Sequence, residues 1–375
     1  MTRALVLGAG FGGISAAIAL RQGGLDVTLV DERPSFTMGL VNLWALSGEM
    51  HGSAGDSRGR GDDAFNASHR RPLDALERHG LRFVQARVDA IDPAHKSVAT
   101  SAGALPYDKL VVALGAHTRV PEGWPREAHD IYTLEGARAF GEQLASMRSG
   151  RALVLAHSMP FKCPPAPYEA AMLAKARAPG VEVTVATPEP HPIPVFGPAA
   201  GAQMRAMVET QGVVVRNGAT VEGFDAGRVR FTDGSSLAYD LLGVIPQHVP
   251  PAPVAALGGG FLEVDPVTLR TAHADVWAVG DCTLLKLPIG KPIPKAGVLA
   301  EAEGLVAAAD ILGQPARFAG LGTCYVETGH GRAAEGRGAF LAEGGPRMEL
   351  SAPSAAGLAA KRAFETERLA AWFGG

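Results

Sequence analysis

The chain has 375 residues, of which 47% are hydrophobic and 19% charged, so it has enough apolar material for two or three globular domains. Its formal net charge of −3 argues against a surface that binds nucleic acid or another polyanion. No apolar run approaches the roughly 18 residues of a membrane-spanning helix, and no signal peptide precedes the first strand-like run. We therefore expect a soluble cytoplasmic protein.

The cysteine and histidine patterns argue against a disulfide scaffold and against a metal site. Three cysteines without C-x-x-C spacing provide neither a disulfide scaffold nor a zinc site, so they are interpreted as free thiols or as one redox pair. The 11 histidines show no metal-ligand spacing such as H-E-x-x-H, and no metal is expected.

The N-terminal segment has the pattern of a β-α-β unit with a glycine turn. An apolar run at 4–7 leads into the turn at 8–13, a helical stretch follows at 14–22, and a second apolar run at 27–30 ends in Asp31. Apolar runs typical of buried strands recur at 110–114, 152–156, 181–186, 241–245 and 276–279. Further helices are predicted at 168–177, 296–312 and 354–373, and short strands at 323–327 and 347–350.

These elements predict an α/β fold with two Rossmann-like domains and a small C-terminal α+β segment. The first domain would comprise residues 1–115 and 250–320, the second 116–249, and the C-terminal segment 321–375. We expect the run at 241–245 to be a strand that returns to the first domain. Residues 51–68 are rich in Gly, Ser, Asp and Arg and have almost no apolar period, which predicts a flexible surface insertion.

The first turn fits the dinucleotide-binding pattern G-x-G-x-x-G. Gly8 permits the tight turn, Gly10 lets a pyrophosphate approach the backbone, and Gly13 lets the helix and strand pack closely. The helix N-terminus supplies free N–H groups and about half a positive charge. We expect Gly12 in the same turn, and Asp31 and Glu32 at the end of the second strand, to complete the cofactor site. A purely structural glycine turn is the alternative.

The second β-α-β unit lacks such a turn. No glycine occurs between Arg151 and Arg177, and four prolines stand in the segment 157–169. Proline removes N–H donors, and side chains fill the space that a pyrophosphate needs. We therefore expect no nicotinamide site here and an electron donor of another kind.

Several motifs then resemble one family of flavoproteins. They are CPPAPYE at 163–169, VLGAGFGG at 6–13, AVGD at 278–281, PKAG at 294–297 and CYVETGHG at 324–331. Together they resemble flavocytochrome c sulfide dehydrogenases and sulfide:quinone oxidoreductases. The proline-rich cysteine loop paired with a late cysteine is the most discriminating part, since the glycine turn and AVGD occur in many flavoproteins.

The resemblance implies a cofactor and its ligands. It implies FAD in the first domain, held noncovalently because no cysteine precedes Cys163. Asp281 would bond the ribityl chain of FAD, and Lys295 with a helix start would face the isoalloxazine, where a cation and a helix N-terminus stabilise the reduced anion. The full cofactor set adds the neighbouring residues Gly115, Gly280, Ala296 and Gly297.

The resemblance also implies a redox site. Cys163 and Cys324 match the two redox cysteines of the family, and Glu169 matches a carboxylate suggested as proton acceptor. Sulfide would attack a Cys163–Cys324 disulfide and leave a persulfide, and two electrons would pass to FAD. Glu169 as a helix-capping charge, and each cysteine as a small buried hydrophobe, are the alternatives. We interpret Cys282 as packing.

The sequence departs from the family in three places. The quinone enzymes often have a third cysteine shortly after the strand near Gly115, where this chain has only His117. No secretion signal precedes the fold, and the amphipathic tail of the quinone enzymes is short. Leu369, Trp372 and Phe373 share one helix face, which leaves peripheral contact at the inner face of the membrane as an open alternative.

The expected function is FAD-dependent oxidation of sulfide, or of a related thiol or persulfide, with electrons passed to a quinone or another small carrier. The first alternative is a type II NADH:quinone reductase, against which the missing second glycine turn counts. The second is a noncatalytic flavin subunit for electron transfer or redox sensing. His117, His157 and His248 lie at predicted strand ends near the crevice, but a lone histidine is more often structural than a base.

Overall fold

The computed structural model describes residues 1–48 and 67–374. The helices are α1 (Phe11–Gln22), α2 (Val41–Ser47), α3 (Leu134–Ser146), α4 (Ala166–Arg177), α5 (Gly197–Thr210), α6 (Ala252–Gly258), α7 (Gly297–Ile311) and α8 (Ala355–Phe373). The predicted insertion at 51–68 falls, except for its last two residues, outside the described residues.

The strands of the N-terminal part are β1 (Arg3–Leu7), β2 (Asp26–Asp31), β3 (Ser35–Thr37), β4 (Arg70–Pro72), β5 (Arg82–Gln85), β6 (Val88–Asp92), β7 (Ser97–Thr100), β8 (Gly103–Pro106), β9 (Lys109–Val112) and β10 (His117–Arg119). Those of the middle part are β11 (His129–Asp130), β12 (Arg151–Ala156), β13 (Glu182–Ala186), β14 (Val213–Arg216), β15 (Val221–Asp225), β16 (Arg228–Phe231), β17 (Ser236–Ala238), β18 (Leu241–Ile245) and β19 (Gln247–Val249). The remaining strands are β20 (Leu262–Glu263), β21 (Val276–Ala278), β22 (Thr283–Leu284), β23 (Leu321–Gly329), β24 (Arg332–Ala339) and β25 (Arg347–Leu350).

The first core sheet is parallel and has the strand order β21-β9-β1-β2-β5. Residues 4–7 of β1 are all buried, as expected for a central strand covered on both faces. Helix α1 makes the crossover from β1 to β2, so the glycine turn lies at the carboxyl end of β1, where open α/β sheets bind their ligands.

The second core sheet repeats this architecture with the order β11-β18-β12-β13-β14, and α4 connects β12 to β13. The two sheets confirm the predicted α/β fold. The expectation that residues 241–245 return to the first domain is wrong, because β18 pairs with β12 and β11 in the second sheet. A run of five buried apolar residues fits the centre of either parallel sheet, so the sequence alone does not assign it.

The two sheets are linked by short antiparallel elements. Strands β10 and β19, which pair with each other, stand where the chain enters and leaves the second sheet. Each half also contains a three-stranded antiparallel sheet, β6-β7-β8 and β15-β16-β17, and the C-terminal segment forms a third, β23-β24-β25.

The apolar face of the C-terminal helix α8 is part of the protein core. Leu369, Trp372 and Phe373 are 2%, 6% and 8% exposed. The Trp372 ring packs edge-on against Phe11 at 5.3 Å between centroids, and Phe373 stacks on Phe36 at 5.7 Å. The face that the sequence left open for peripheral membrane contact is therefore covered by the start of α1 and by β3. Among the described residues, no helix has the length and apolarity to cross a bilayer.

We predict that Leu369→Ala lowers the free energy of unfolding by about 2–5 kcal/mol, because it removes buried methyl groups from this aromatic cluster and leaves a cavity. Leu305→Ala is the matched control, since Leu305 also lies on a helix but is 50% exposed. Urea denaturation of both variants measures the difference, and equal losses would contradict the packing of α8.

Candidate functional site

The glycine turn leaves open space in front of the N-terminus of α1. Gly8 has a φ of +99°, and a Cβ on Gly13 would lie 1.8 Å from the carbonyl oxygen of Gly8, so neither position accepts a side chain. Gly10 caps the helix in an extended conformation, and a Cβ there would meet nothing within 4 Å. These features fit a pyrophosphate bound at the helix N-terminus.

The acidic residue at the end of β2 is tied directly to this turn. The Ala9 N–H donates to Asp31 Oδ2 at 2.7 Å, and the Arg33 guanidinium donates to both carboxylate oxygens at 2.7 and 2.9 Å. Burial by itself raises the pKa of Asp31, but the hydrogen bonds and charge of Arg33 hold that pKa below its usual value. The carboxylate stays ionised beside the turn, while Glu32 is exposed on the surface. The partner Arg33 was missed in the sequence.

A second helix begins beside the first. Helix α7 starts at Gly297 after Ala296 in an extended conformation, and a Cβ on Gly297 would lie 2.9 Å from the Phe11 ring at the start of α1. Of the predicted cofactor residues, Gly280, Asp281, Lys295 and Ala296 line one cavity at this helix start. Gly115 adopts a φ of +68° just after β9, the neighbour of β1 in the sheet.

Lys295 is anchored to the backbone at the edge of the cavity. Its ammonium donates to the carbonyl oxygens of Asp281 and Thr283 at 2.6 and 3.1 Å, and it lies 3.8 Å from the centroid of the Phe261 ring. Burial lowers the pKa of Lys295, and the nearby charge of Asp281 opposes that shift. A fixed cation beside a helix N-terminus suits a group that becomes anionic when it is reduced.

A buried carboxyl group that the sequence analysis missed also lines the cavity. Glu303 on α7 is 2% exposed and accepts a hydrogen bond from the Gly280 N–H at 2.5 Å. Burial raises its pKa to about 7. The only signal in the sequence is a glutamate between Ala302 and Gly304 in an alanine-rich helix.

The cysteine loop is bonded directly to the segment that begins α7. The Cys163 N–H donates to the Lys295 carbonyl at 2.8 Å, and the Cys163 carbonyl accepts from the Ala166 N–H as α4 begins. Cys163 has a φ of +54°, an uncommon conformation for a residue with a side chain. The loop that replaces a second glycine turn therefore lies against the cavity of the first sheet.

Cys324 comes from the C-terminal sheet, on β23 opposite Gly336 of β24. A Cβ on Gly336 would lie 3.0 Å from Cys324 Sγ, so the glycine leaves room for the sulfur. Both thiols are free and partly exposed. Desolvation raises the pKa of each to about 12, and charge on Cys163 adds to the shift at Cys324.

Glu169 belongs to a buried ionic cluster next to the thiols. Its Oε1 accepts from Lys361 Nζ at 2.5 Å and from the Glu327 N–H at 2.8 Å. Glu327 Oε1 lies 3.0 Å from Lys361 Nζ and accepts from Trp44 Nε1 at 2.5 Å. Burial raises the pKa of Glu169, Lys361 lowers it, and Glu327 adds to the rise. Lys361, Glu327 and Trp44 were missed, because they come from three distant parts of the chain.

At the end of β13, where a Rossmann domain typically has its nucleotide-binding acidic residue, the second sheet has a buried hydrogen-bond network. Glu189 follows β13 and is 3% exposed, and Tyr168 in the first turn of α4 donates to its carboxylate at 2.9 Å. Asn217 in turn donates to the Tyr168 hydroxyl at 3.0 Å. Burial raises the pKa of Glu189 to about 7. The carboxylate is thus engaged by protein groups inside the fold.

The remaining candidates have ordinary structural surroundings. Cys282 is fully buried, and its S–H group contacts the carbonyl oxygens of Val112 and Val279 at 3.3 Å each, as expected for packing. His117 is exposed, His157 stacks on Phe224 at 6.0 Å, and the buried His248 packs against the Tyr132 ring. Burial lowers the pKa of His248 to about 4, which keeps the ring neutral.

Two parallel sheets, a glycine turn at the N-terminus of α1 and a cavity at the start of α7 are typical of a dinucleotide-binding protein. The chain matches the family model described as pyridine nucleotide-disulphide oxidoreductase over residues 2–155 and 167–304, and it belongs to that family. The predicted class of enzyme, a flavin oxidoreductase, and its cofactor FAD are confirmed.

Individual relatives are more distant. A nitric oxide reductase FlRd-NAD(+) reductase from Aeromonas hydrophila is 28% identical over 216 residues, which cover 54% of this chain and 53% of that protein. The chain spans about half the length of the curated relatives that it matches. The solved sulfide:quinone oxidoreductase from Aquifex aeolicus has a TM-score of 0.82 at 21% identity, covering 100% of this chain and 92% of that chain. An NAD-dependent persulfide reductase from A. fulgidus has a TM-score of 0.66 at 22% identity, covering 90% and 64%. These two structures show a shared fold.

We predict that Gly10→Ala weakens FAD binding by about tenfold or more while the fold stays intact, because the methyl group enters open space that the pyrophosphate needs. Gly260→Ala is the matched control, since a Cβ there also meets nothing within 4 Å but lies in the turn after α6. FAD content and fluorescence titration of the apoproteins measure the effect. Equal FAD affinity in both variants would contradict the assignment of the turn.

Proposed function

We propose that the chain oxidises sulfide, or a related persulfide, through Cys163 and Cys324, and that residues 1–115 and 250–320 form the domain that carries FAD. The observation that carries this proposal is the hydrogen bond from the Cys163 N–H to the Lys295 carbonyl, which ties the cysteine loop to the flavin cavity. The shared fold with the sulfide:quinone oxidoreductase from Aquifex aeolicus supports it.

Each of three side chains has one role in the proposed reaction. In the oxidised protein, Cys163 and Cys324 form a disulfide, and an incoming hydrosulfide ion attacks one of its sulfurs. The new sulfur–sulfur bond makes a persulfide on that cysteine, the Cys163–Cys324 bond breaks, and the electron pair remains on the other cysteine as a thiolate. Glu169 accepts the proton that the persulfide loses, which its raised pKa favours. Bound FAD would supply the capacity to accept two electrons, which amino-acid side chains lack.

The electron acceptor is proposed to be a quinone or a small electron carrier. An NADH:quinone reductase is less well supported, because the turn after β12 has no glycine and Glu189 is engaged by Tyr168. NADH:quinone reduction remains the second candidate function, because two curated relatives are named as NAD(+) reductases.

We predict that Cys163→Ser and Cys324→Ser each bind FAD but lose its reduction by sulfide, because neither variant can form the disulfide. Cys282→Ser is the matched control and keeps the reaction, since that thiol only contacts backbone carbonyls. The flavin absorbance near its visible maximum is followed after anaerobic addition of sulfide. Complete bleaching in the Cys163 variant would remove the proposed mechanism.

We predict that Glu169→Gln slows sulfide-dependent flavin reduction by about 10²-fold, the low end of the range for loss of a general base. Glu189→Gln is the matched control, because it removes an equally buried carboxylate from the separate network around Tyr168. Single-turnover kinetics at saturating sulfide give both rates. An unchanged rate in the Glu169 variant would assign the proton to another group.

A further inference from the structure

The C-terminal helix contributes one lysine to the buried ionic cluster that contains Glu169 and Glu327. The Lys361 side chain is 3% exposed and forms ion pairs with Glu169 at 2.5 Å and with Glu327 at 3.0 Å. Its ammonium also lies 5.8 Å from the centroid of the Trp44 ring. Burying a lysine costs free energy unless it is paired. Two carboxylates pair with it here, yet the proposed reaction as described so far does not use this lysine.

The charged groups around the thiols come from several elements. Glu169 on α4, Glu327 on β23 and Lys361 on α8 form one cluster, and Lys162 lies in the cysteine loop. The His69–Glu365 pair, whose atoms are 2.9 Å apart, lies on the other side of this cluster, against the Trp44 ring. Desolvation raises the pKa of both thiols, and the charge on Glu169 raises both further. The charge on Lys361 lowers the pKa of both.

The proposed chemistry needs such a cation at one step. When hydrosulfide opens the disulfide, one cysteine leaves as a thiolate, and a thiol of lower pKa leaves faster. The surroundings of these sulfurs are desolvated and contain two carboxyl groups, which both disfavour a new negative charge. A fixed ammonium within this cluster offsets that cost at both sulfurs.

We infer that Lys361 is a positioning residue that holds Glu169 and Glu327 and stabilises the thiolates of Cys163 and Cys324, so that the C-terminal helix forms part of the redox site. This inference rests on the proposed function for its chemical meaning. The effect on the thiols themselves is independent of any substrate.

The test is the alkylation rate of each reduced thiol in the FAD-loaded protein, measured at pH 9 with iodoacetamide and mass spectrometry of the labelled peptides. Far below the thiol pKa, a shift of about one unit changes the thiolate fraction and the rate tenfold. We expect Lys361→Met to slow labelling of both Cys163 and Cys324 about tenfold and Glu169→Gln to accelerate it about tenfold. Lys361→Arg keeps the charge and stays within about twofold of the unmodified protein.

Two controls separate charge from misfolding. Lys286→Met removes a surface lysine that is 57% exposed and leaves both rates unchanged. Cys282 is fully buried and remains unlabelled while the protein is folded, so it reports unfolding within the same experiment. If Lys361→Met unfolds the protein, so that Cys282 becomes labelled, the labelling rates of Glu169→Gln test the inference instead. Unchanged labelling of both thiols in Glu169→Gln overturns the inference, as does unchanged labelling in a folded Lys361→Met.

The two proposals fail in different ways. Opposite shifts in the labelling of the Lys361 and Glu169 variants, together with a wild-type flavin that sulfide does not reduce, would remove the proposed function and keep the role of the lysine. Normal reduction of the wild-type flavin by sulfide, with no change in the labelling of either variant, would keep the proposed function and remove the role of the lysine. Where both hold, Lys361→Met also slows flavin reduction by sulfide about tenfold, as expected from the poorer leaving group.

Discussion

The hydrogen bond between the Cys163 N–H and the Lys295 carbonyl is the contact on which the proposed site depends. It joins the loop that follows β12 of the second sheet to the segment that begins α7 beside the first sheet. The same segment carries the Lys295 ammonium, which is fixed by the carbonyl oxygens of Asp281 and Thr283. One backbone contact therefore holds a thiol next to a helix N-terminus and a cation.

We propose that the loop takes this position at the expense of a nucleotide site. A glycine turn after β12 would leave N–H groups free for a pyrophosphate, whereas residues 160–169 contain four prolines, which lack N–H donors, and no glycine. At the neighbouring strand end, Glu189 accepts a hydrogen bond from Tyr168 inside the fold. The second sheet keeps the Rossmann architecture, and we propose that it presents sulfur chemistry at its carboxyl edge, where open α/β sheets bind their ligands.

The C-terminal segment contributes the second thiol and the buried charges. Removing one partner of a buried ion pair typically costs about 3–5 kcal/mol, so the Glu169–Lys361–Glu327 cluster strongly couples α8 to α4 and β23. The aromatic contacts of Trp372 and Phe373 attach the same helix to the start of α1. Helix α8 thus contacts both the start of α1, beside the glycine turn, and the ionic cluster of the proposed redox site.

The sequence predicted the parts that depend on local patterns. The glycine turn and the Cys163 loop have signatures within short segments, and backbone sterics explain them. The buried cluster was not predictable, because Glu169, Lys361 and Glu327 are distant in sequence and charged residues normally indicate a solvated helix face. Glu365 illustrates the difficulty: it interrupts the apolar stripe of α8 in the sequence, yet it is 2% exposed and paired with His69. Strand β18 was assigned to the wrong sheet since its apolar run fits either one.

The most direct test of the account compares two electron donors on the unmodified FAD-loaded protein. Anaerobic stopped-flow absorbance records how fast sulfide and NADH each reduce the flavin. The account predicts fast reduction by about one equivalent of sulfide, a two-electron donor, and no fast reduction by NADH. Fast reduction by NADH together with no reaction with sulfide would contradict it.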